Sequence, residues 1–166
     1  KVLELTAKSL FRQMDLTAKI MLAKSADTLE HLKSARIFFE RGMAREAAQK
    51  ASAEDIAALH AILDRQRASL GNAEAFIAAD MAFHARIAEI SGNPIFAAVS
   101  ESMLAWLQEY HTDMLIWTGK ERFTLAEHEE IVDRLAAGDA DGAEQAMLKH
   151  LERSRALYTL PRGDDA

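Results

Sequence analysis

The sequence predicts an all-α fold, and three observations carry that reading. Apolar residues recur three and four apart along nearly the whole chain, the spacing that gathers them on one face of a helix. Glycine (7) and proline (2) are scarce, which disfavours a turn-rich sandwich or barrel. The breaks fall at short turn signals, and neither an interior linker nor a fixed-period repeat divides the chain. A length of 166 residues suits one domain, so a single helical domain is expected.

The first predicted helix runs from about Leu3 to Ala23, with Leu3, Ala7, Leu10, Met14, Ala18 and Met21 on one face. A second spans about Thr28 to Ala51, and a third about Ala53 to Leu70 behind Ser52 as its N-cap. Gly71-Asn72 breaks the chain before a fourth helix, Ala73 to Ile90. Ser91-Gly92-Asn93-Pro94 ends that helix and starts the next, because proline fits a first turn but not an interior one. The fifth helix extends to about Trp117. Thr124-Leu125-Ala126-Glu127 matches a capping box and is expected to open a sixth helix ending near Gly138. The seventh runs from about Asp141 to Tyr158, before a frayed tail from Pro161 to Ala166.

Charge and composition remove several classes of function. Acidic residues outnumber basic ones 26 to 20, a net charge of −6, which argues against this segment being a main nucleic-acid surface. Cysteine is absent, so thiol nucleophiles and thiolate metal sites are excluded and any metal must take nitrogen and oxygen ligands. That absence fits a reducing compartment. No apolar run approaches the roughly 18 residues that a membrane span requires. The start at Lys1, without a signal-peptide pattern, reads as a portion of a longer chain.

Polar residues on apolar faces are the informative feature. The inward stripe of the fourth helix reads Ala73, Ile77, Asp80, His84, Ile87, with Asp80 and His84 on adjacent turns of one face. The stripes of the sixth and seventh read Leu125, His128, Val132, Leu135 and Ala143, Met147, His150, Ser154, Leu157. If Gly138-Asp139 turns an antiparallel pair, His128 and His150 stand at nearly equal heights, each about 15–18 Å from the turn. Two readings stand here. Each histidine satisfied by one core hydrogen bond, with Asp80 paired to Arg86 or capping a turn, is the plain one. The other is a shared cation, which removes together the burial cost of a carboxylate and three imidazoles.

Arg36 interrupts the stripe Leu29, Leu32, Phe39, Met43, Ala47 of the second helix. Its guanidinium stays charged when buried and requires an anion. A glutamate such as Glu40 satisfies it, and so does the carboxylate of a ligand. His31 and His60 read as exposed, and His111 as core or surface near Trp106 and Tyr110. Phe96, Trp117 and Phe123 read as core, and the run Glu127, Glu129, Glu130 as solvated surface.

Asp80-Met81-Ala82-Phe83-His84, then Ile90-Ser91-Gly92-Asn93-Pro94, then Glu127-His128-Glu129-Glu130-Ile131 resemble the FCD effector domain of GntR-family bacterial transcription regulators. Gly138-Asp139-Ala140-Asp141 with Met147-Leu148-Lys149-His150-Leu151, and Arg36-Ile37-Phe38-Phe39-Glu40 ending in Ala47-Ala48, continue the likeness from about Thr28 to Ser154. The resemblance implies an antiparallel bundle of six or seven helices around a central metal and effector cavity. It implies that Asp80, His84, His128 and His150 are the metal ligands, that Arg36 lies near the effector's acidic group, and that Asn93 belongs to an effector-side turn. A divalent metal is implied, zinc by ligand type, with nickel and manganese compatible. Ala75-Phe76-Ile77 through Asn93-Pro94-Ile95-Phe96 is similar to regulators of sialic-acid catabolism.

The function expected from this likeness is that of a cytoplasmic, homodimeric sensor of a small carboxylate (a sugar acid such as sialic acid, or a hydroxy or keto acid). DNA binding would belong to an N-terminal winged helix-turn-helix outside this chain. A metal-dependent enzyme is the competing reading, disfavoured because no HExxH motif is present. A plain helical dimerisation module is the third.

Overall fold

The computed structural model describes residues 26–108 and 119–155. Among them are six helices: α1 (Ala26–Lys50), α2 (Ala53–Ala68), α3 (Ala73–Ile90), α4 (Pro94–Gln108), α5 (Glu121–Ala136) and α6 (Ala140–Arg155). The predicted helix over Leu3–Ala23, the stretch holding Tyr110, His111 and Trp117, and the tail from Pro161 lie outside the described residues.

Local chemistry sets most of the boundaries. Ser52 caps α2 reciprocally: its hydroxyl accepts from the Asp55 amide at 3.1 Å, and the Asp55 carboxylate accepts from the Ser52 amide at 2.9 Å. Asn72 caps α3 through the Ala75 amide at 3.1 Å. Gly138, with φ +67°, makes the left-handed turn between α5 and α6. Asp139 then caps α6 by accepting from the Gly142 amide at 2.9 Å. A Cβ at residue 142 would lie 2.1 Å from the Asp139 carboxylate as it stands, so a larger residue there would make the Asp139 side chain shift. The same cap starts α6 at Ala140, one residue before the expected Asp141.

The capping box expected at Thr124 does not form. Helix α5 begins one turn earlier, at Glu121 behind Lys120, and Lys120 makes no side-chain cap. Thr124 is buried within the helix, and Arg153 of α6 donates to its hydroxyl at 2.9 Å. Arg153 also donates to both oxygens of Glu127, at 2.6 and 2.7 Å. The two polar side chains that matched a cap are taken by the neighbouring helix instead. Glu127 is therefore not part of a solvated run, unlike the exposed Glu129. Phe123 is not core either: it is 65% exposed. It stands two residues, about 200° around the helix, from the buried Leu125. Phe96 is partly buried against the core.

Helix α1 lies along α6, and also packs against α3, α4 and α5. Small residues allow the approach, with Ala44, Ala47 and Ala48 on α1 and Ala143 and Ala146 on α6 all buried. Arg41 and Arg45 of α1 bind Glu144 of α6 at 2.6 and 3.0 Å along the outer edge. The pairs α2–α3, α3–α4 and α5–α6, each joined by a short turn, pack as antiparallel hairpins. Leu59, Leu63, Phe83, Ile87, Ile131, Val132 and Met147 fill the space between them. A smaller cluster of Leu29, Leu32, Met103 and Leu107 joins α1 to α4. This packing encloses a cluster of polar and charged residues inside the bundle.

Candidate metal centre

Asp80 and His84 of α3, His128 of α5 and His150 of α6 meet inside the bundle, all buried, each offering one ligand atom within 4.8 Å of the others. His150 Nε2 lies 3.3 Å from both His84 Nε2 and His128 Nε2. Asp80 places Oδ1 3.5 Å from His128 Nε2 and Oδ2 3.9 Å from His84 Nε2. The hairpin arithmetic on Gly138 thus brings His128 and His150 face to face. Phe83 stacks on the His128 ring, with centroids 4.0 Å apart and planes 17° from parallel.

The other nitrogen of each imidazole faces an acceptor. Nδ1 of His84 lies 2.5 Å from Glu40 Oε2, Nδ1 of His128 lies 2.9 Å from Gln66 Oε1, and Nδ1 of His150 lies 2.8 Å from Glu127 Oε2. All three partner atoms are oxygens that accept, which assigns the ring hydrogen to Nδ1 in His128 and His150, hydrogen-bonded there, and by the same proximity in His84, whose contact with Glu40 is an ion-pair distance only. Three Nε2 lone pairs then point at one another and at a carboxylate, with no donor among them. A divalent cation satisfies that set at once, and the chemistry of the donors fits one: three imidazole nitrogens and one carboxylate oxygen.

The charge states agree. Burial, helped by the charges of His150 and His84, pushes His128 well below the usual imidazole range. Burial also lowers His150, against the opposing pull of Glu127. Burial works to raise Glu40, but Arg36 and His84 outweigh it and hold the carboxyl down to about 2. Glu127 lies below its ordinary value for the same kind of reason: burial raises it, and His150 and Arg153 more than compensate. Burial thus favours the neutral form of His128 and His150, while Glu40 and Glu127 stay ionised, and neutral imidazole is the form that binds a cation.

Arg36 is 3% exposed, and its Nε donates to Glu40 Oε1 at 2.7 Å. Of the two anions weighed for it, the structure supplies the glutamate. Asn93 stands outside the four-residue group, at the start of α4, where its Oδ1 accepts from the Ile95 amide at 3.0 Å. Arg86, considered as a partner for Asp80, binds Asp55 and Glu89 instead. His31 and His60 are exposed, as expected.

Sequence reasoning missed Gln66. The signal was there, because Gln66 extends the buried face Leu59, Ile62, Leu63 of α2 at helical spacing, as His128 does on α5. Its amide accepts from His128 and donates from Nε2 to Asp80 Oδ1 at 3.3 Å. Arg153, three residues after His150, was likewise unmarked.

A family profile described as the FCD domain matches residues 31–153. The HTH-type transcriptional repressor NanR of Escherichia coli (strain K12) is 35% identical over 133 residues, covering 78% of this chain and 50% of that protein. The protein of the same name from Cronobacter sakazakii is 36% identical over 127 residues, 74% of this chain and 48% of its own. The chain therefore spans about half the length of these relatives. Among solved structures, E. coli McbR/YncC aligns with a TM-score of 0.74 at 18% identity, over 81% of this chain and 69% of that one. Streptococcus agalactiae GntR aligns at 0.71 and 20% identity, over 80% and 61%.

Proposed function

The chain belongs to the FCD domain family, and on that footing we propose that it is the effector-sensing and dimerisation part of a bacterial transcription regulator. It senses a small carboxylate through a divalent ion held by Asp80, His84, His128 and His150. The observation that supports this reading most is the convergence of three donor-less imidazole nitrogens beside one carboxylate. The relatives are named as transcriptional repressors, not enzymes, and the proposal contains no catalytic step.

When bound, the ion supplies a Lewis-acidic position for oxygen atoms of the effector. The residues of the chain do the rest. Asp80 offsets part of the ion's charge, and the Nδ1 partners Glu40, Gln66 and Glu127 hold the imidazoles with their lone pairs inward. Arg36 adds positive charge to the same interior, where it acts on His128 and His150 as well as Glu40, and so favours an anionic effector. Asn93 enters only through the turn it caps. Imidazole with carboxylate favours zinc, with nickel and manganese as alternatives. Sialic acid or a related sugar acid, or a hydroxy or keto acid, is the proposed effector class.

Regulation follows only if effector binds two conformations unequally. In this reading the domain works as a homodimer, in the cytoplasm, with DNA bound by a winged helix-turn-helix in the other half of the protein. Among the described residues no helix is long and apolar enough to cross a membrane.

Elemental analysis of protein purified without an affinity tag tests the core of the proposal. The expected result is about one transition metal per chain, lost in Asp80→Ala and in His150→Ala. Metal-free protein whose melting is unchanged by added zinc would overturn it. Thermal shift with sialic acid and small hydroxy acids, in loaded and stripped protein, then identifies the effector.

A further inference from the structure

His84 and His150 meet carboxylates, each held by its own arginine. His128 instead meets the neutral amide of Gln66, which is fully buried on α2, a helix that supplies none of the four converging side chains. That amide touches two of the four at once. Oε1 accepts from His128 Nδ1 at 2.9 Å, and Nε2 donates to Asp80 Oδ1 at 3.3 Å.

We propose that Gln66 is a positioning residue for metal loading, whose amide fixes the tautomer of His128 and the orientation of Asp80 together. The proposal rests on the metal reading above. Without the amide, His128 is left with a carboxylate neighbour that can take its hydrogen. Its Nε2 lies 3.5 Å from Asp80 Oδ1. With no acceptor at Nδ1, the ring hydrogen moves to Nε2 and binds the Asp80 carboxylate. Two of the four donors are then tied to each other and withdrawn from the ion. Loss of Gln66 thus closes the centre to the ion.

An amide meets both demands and a carboxylate meets one. A glutamate at this position still accepts from His128, but it sets a negative charge against the Asp80 carboxylate where the amide donated. The two substitutions Gln66→Met and Gln66→Glu therefore separate the two functions of the side chain.

The test uses the full chain, stripped of metal and then titrated with zinc against a chromophoric chelator. Long-range proton–nitrogen correlation spectra of the metal-free protein read each imidazole tautomer. Gln66→Met is expected to weaken zinc binding by about 10- to 100-fold and to move His128 to the Nε2–H tautomer. Gln66→Glu is expected to weaken zinc binding while leaving His128 with its hydrogen on Nδ1. A purely structural role for Gln66 would lower the melting temperature without changing the tautomer. Zinc affinity within about threefold of the parent in both variants, or an Nδ1–H tautomer retained in Gln66→Met, overturns the proposal. Should Gln66→Met fail to fold, the affinity and tautomer of Gln66→Glu decide alone. A parent chain that binds no zinc sinks the functional reading itself, a result distinct from unaffected variants of a binding parent.

Discussion

His128 and His150, 22 residues apart, bring their Nε2 atoms to 3.3 Å across the α5–α6 hairpin, while each Nδ1 faces an oxygen on its outer side. With the ring hydrogens assigned to Nδ1, the contact has lone pairs on both sides and a hydrogen on neither. Under the metal reading proposed above, a bound ion would relieve this contact, so that stability and loading would be coupled.

Zinc at about 100 times its dissociation constant should stabilise the stripped protein by about 2.7 kcal/mol. For a domain of this size that is a rise in melting temperature of about 5–10 °C. His128→Ala should show no zinc-dependent rise, and a rise equal to that of the parent would show that the stabilising ion sits elsewhere.

Arg36 and Glu40 form a buried pair at 2.7 Å, both nearly inaccessible. Arg36→Met leaves the Glu40 charge without its guanidinium and should cost about 3–5 kcal/mol in urea unfolding. Combining it with Glu40→Gln, which keeps an oxygen for His84 Nδ1, should recover most of the loss. A single variant as stable as the parent would refute the structural importance of the pair.

Phe83 is fully buried and stacked on His128. Phe83→Ala should cost about 3–5 kcal/mol and leave the His128 ring without its support. Equilibrium unfolding gives the first quantity and chelator competition the second. Normal zinc affinity in a destabilised variant would separate the core packing from the centre.

Asp55 accepts from the amide and hydroxyl of Ser52 and faces Arg86, and these partners hold its carboxyl below the ordinary aspartate value. A depressed folded value means stability that is full above the unfolded value and is lost as pH falls through the folded one. The advantage of the parent over Asp55→Asn should therefore hold down to about pH 5 and shrink below it, through the unfolded value of about 3.9 and the lower folded one. Thermal melts of both across that range check it, and an advantage that grows in acid has the wrong sign for this mechanism.

The four converging residues were legible because helical geometry converts sequence separation into direction. Asp80 and His84 had to share a face, and Gly138 fixed the relative heights of His128 and His150. Roles that depend on a neighbouring helix were not legible. Glu127 fits a capping box as well as it fits a partner for His150, and only the position of Arg153 on α6 decides between them. Glu40 was visible as an anion for Arg36, but its reach to His84 needed the packing of α1 on α3. Phe123 misled because hydrophobicity marks a residue as able to be buried, whereas its place around α5 decides whether it is.

The dispersal of the centre along the chain bears on how the protein is made. His84 precedes His150 by 66 residues. At ribosomal rates of about 5–20 residues per second, roughly 3–13 s pass between their syntheses. Through that interval the nascent chain holds an incomplete donor set, and Glu127 has neither His150 nor Arg153 to bind. Under the metal reading, capture of an ion by all four side chains would therefore have to wait for α6, and a chain released without α6 could not complete the set.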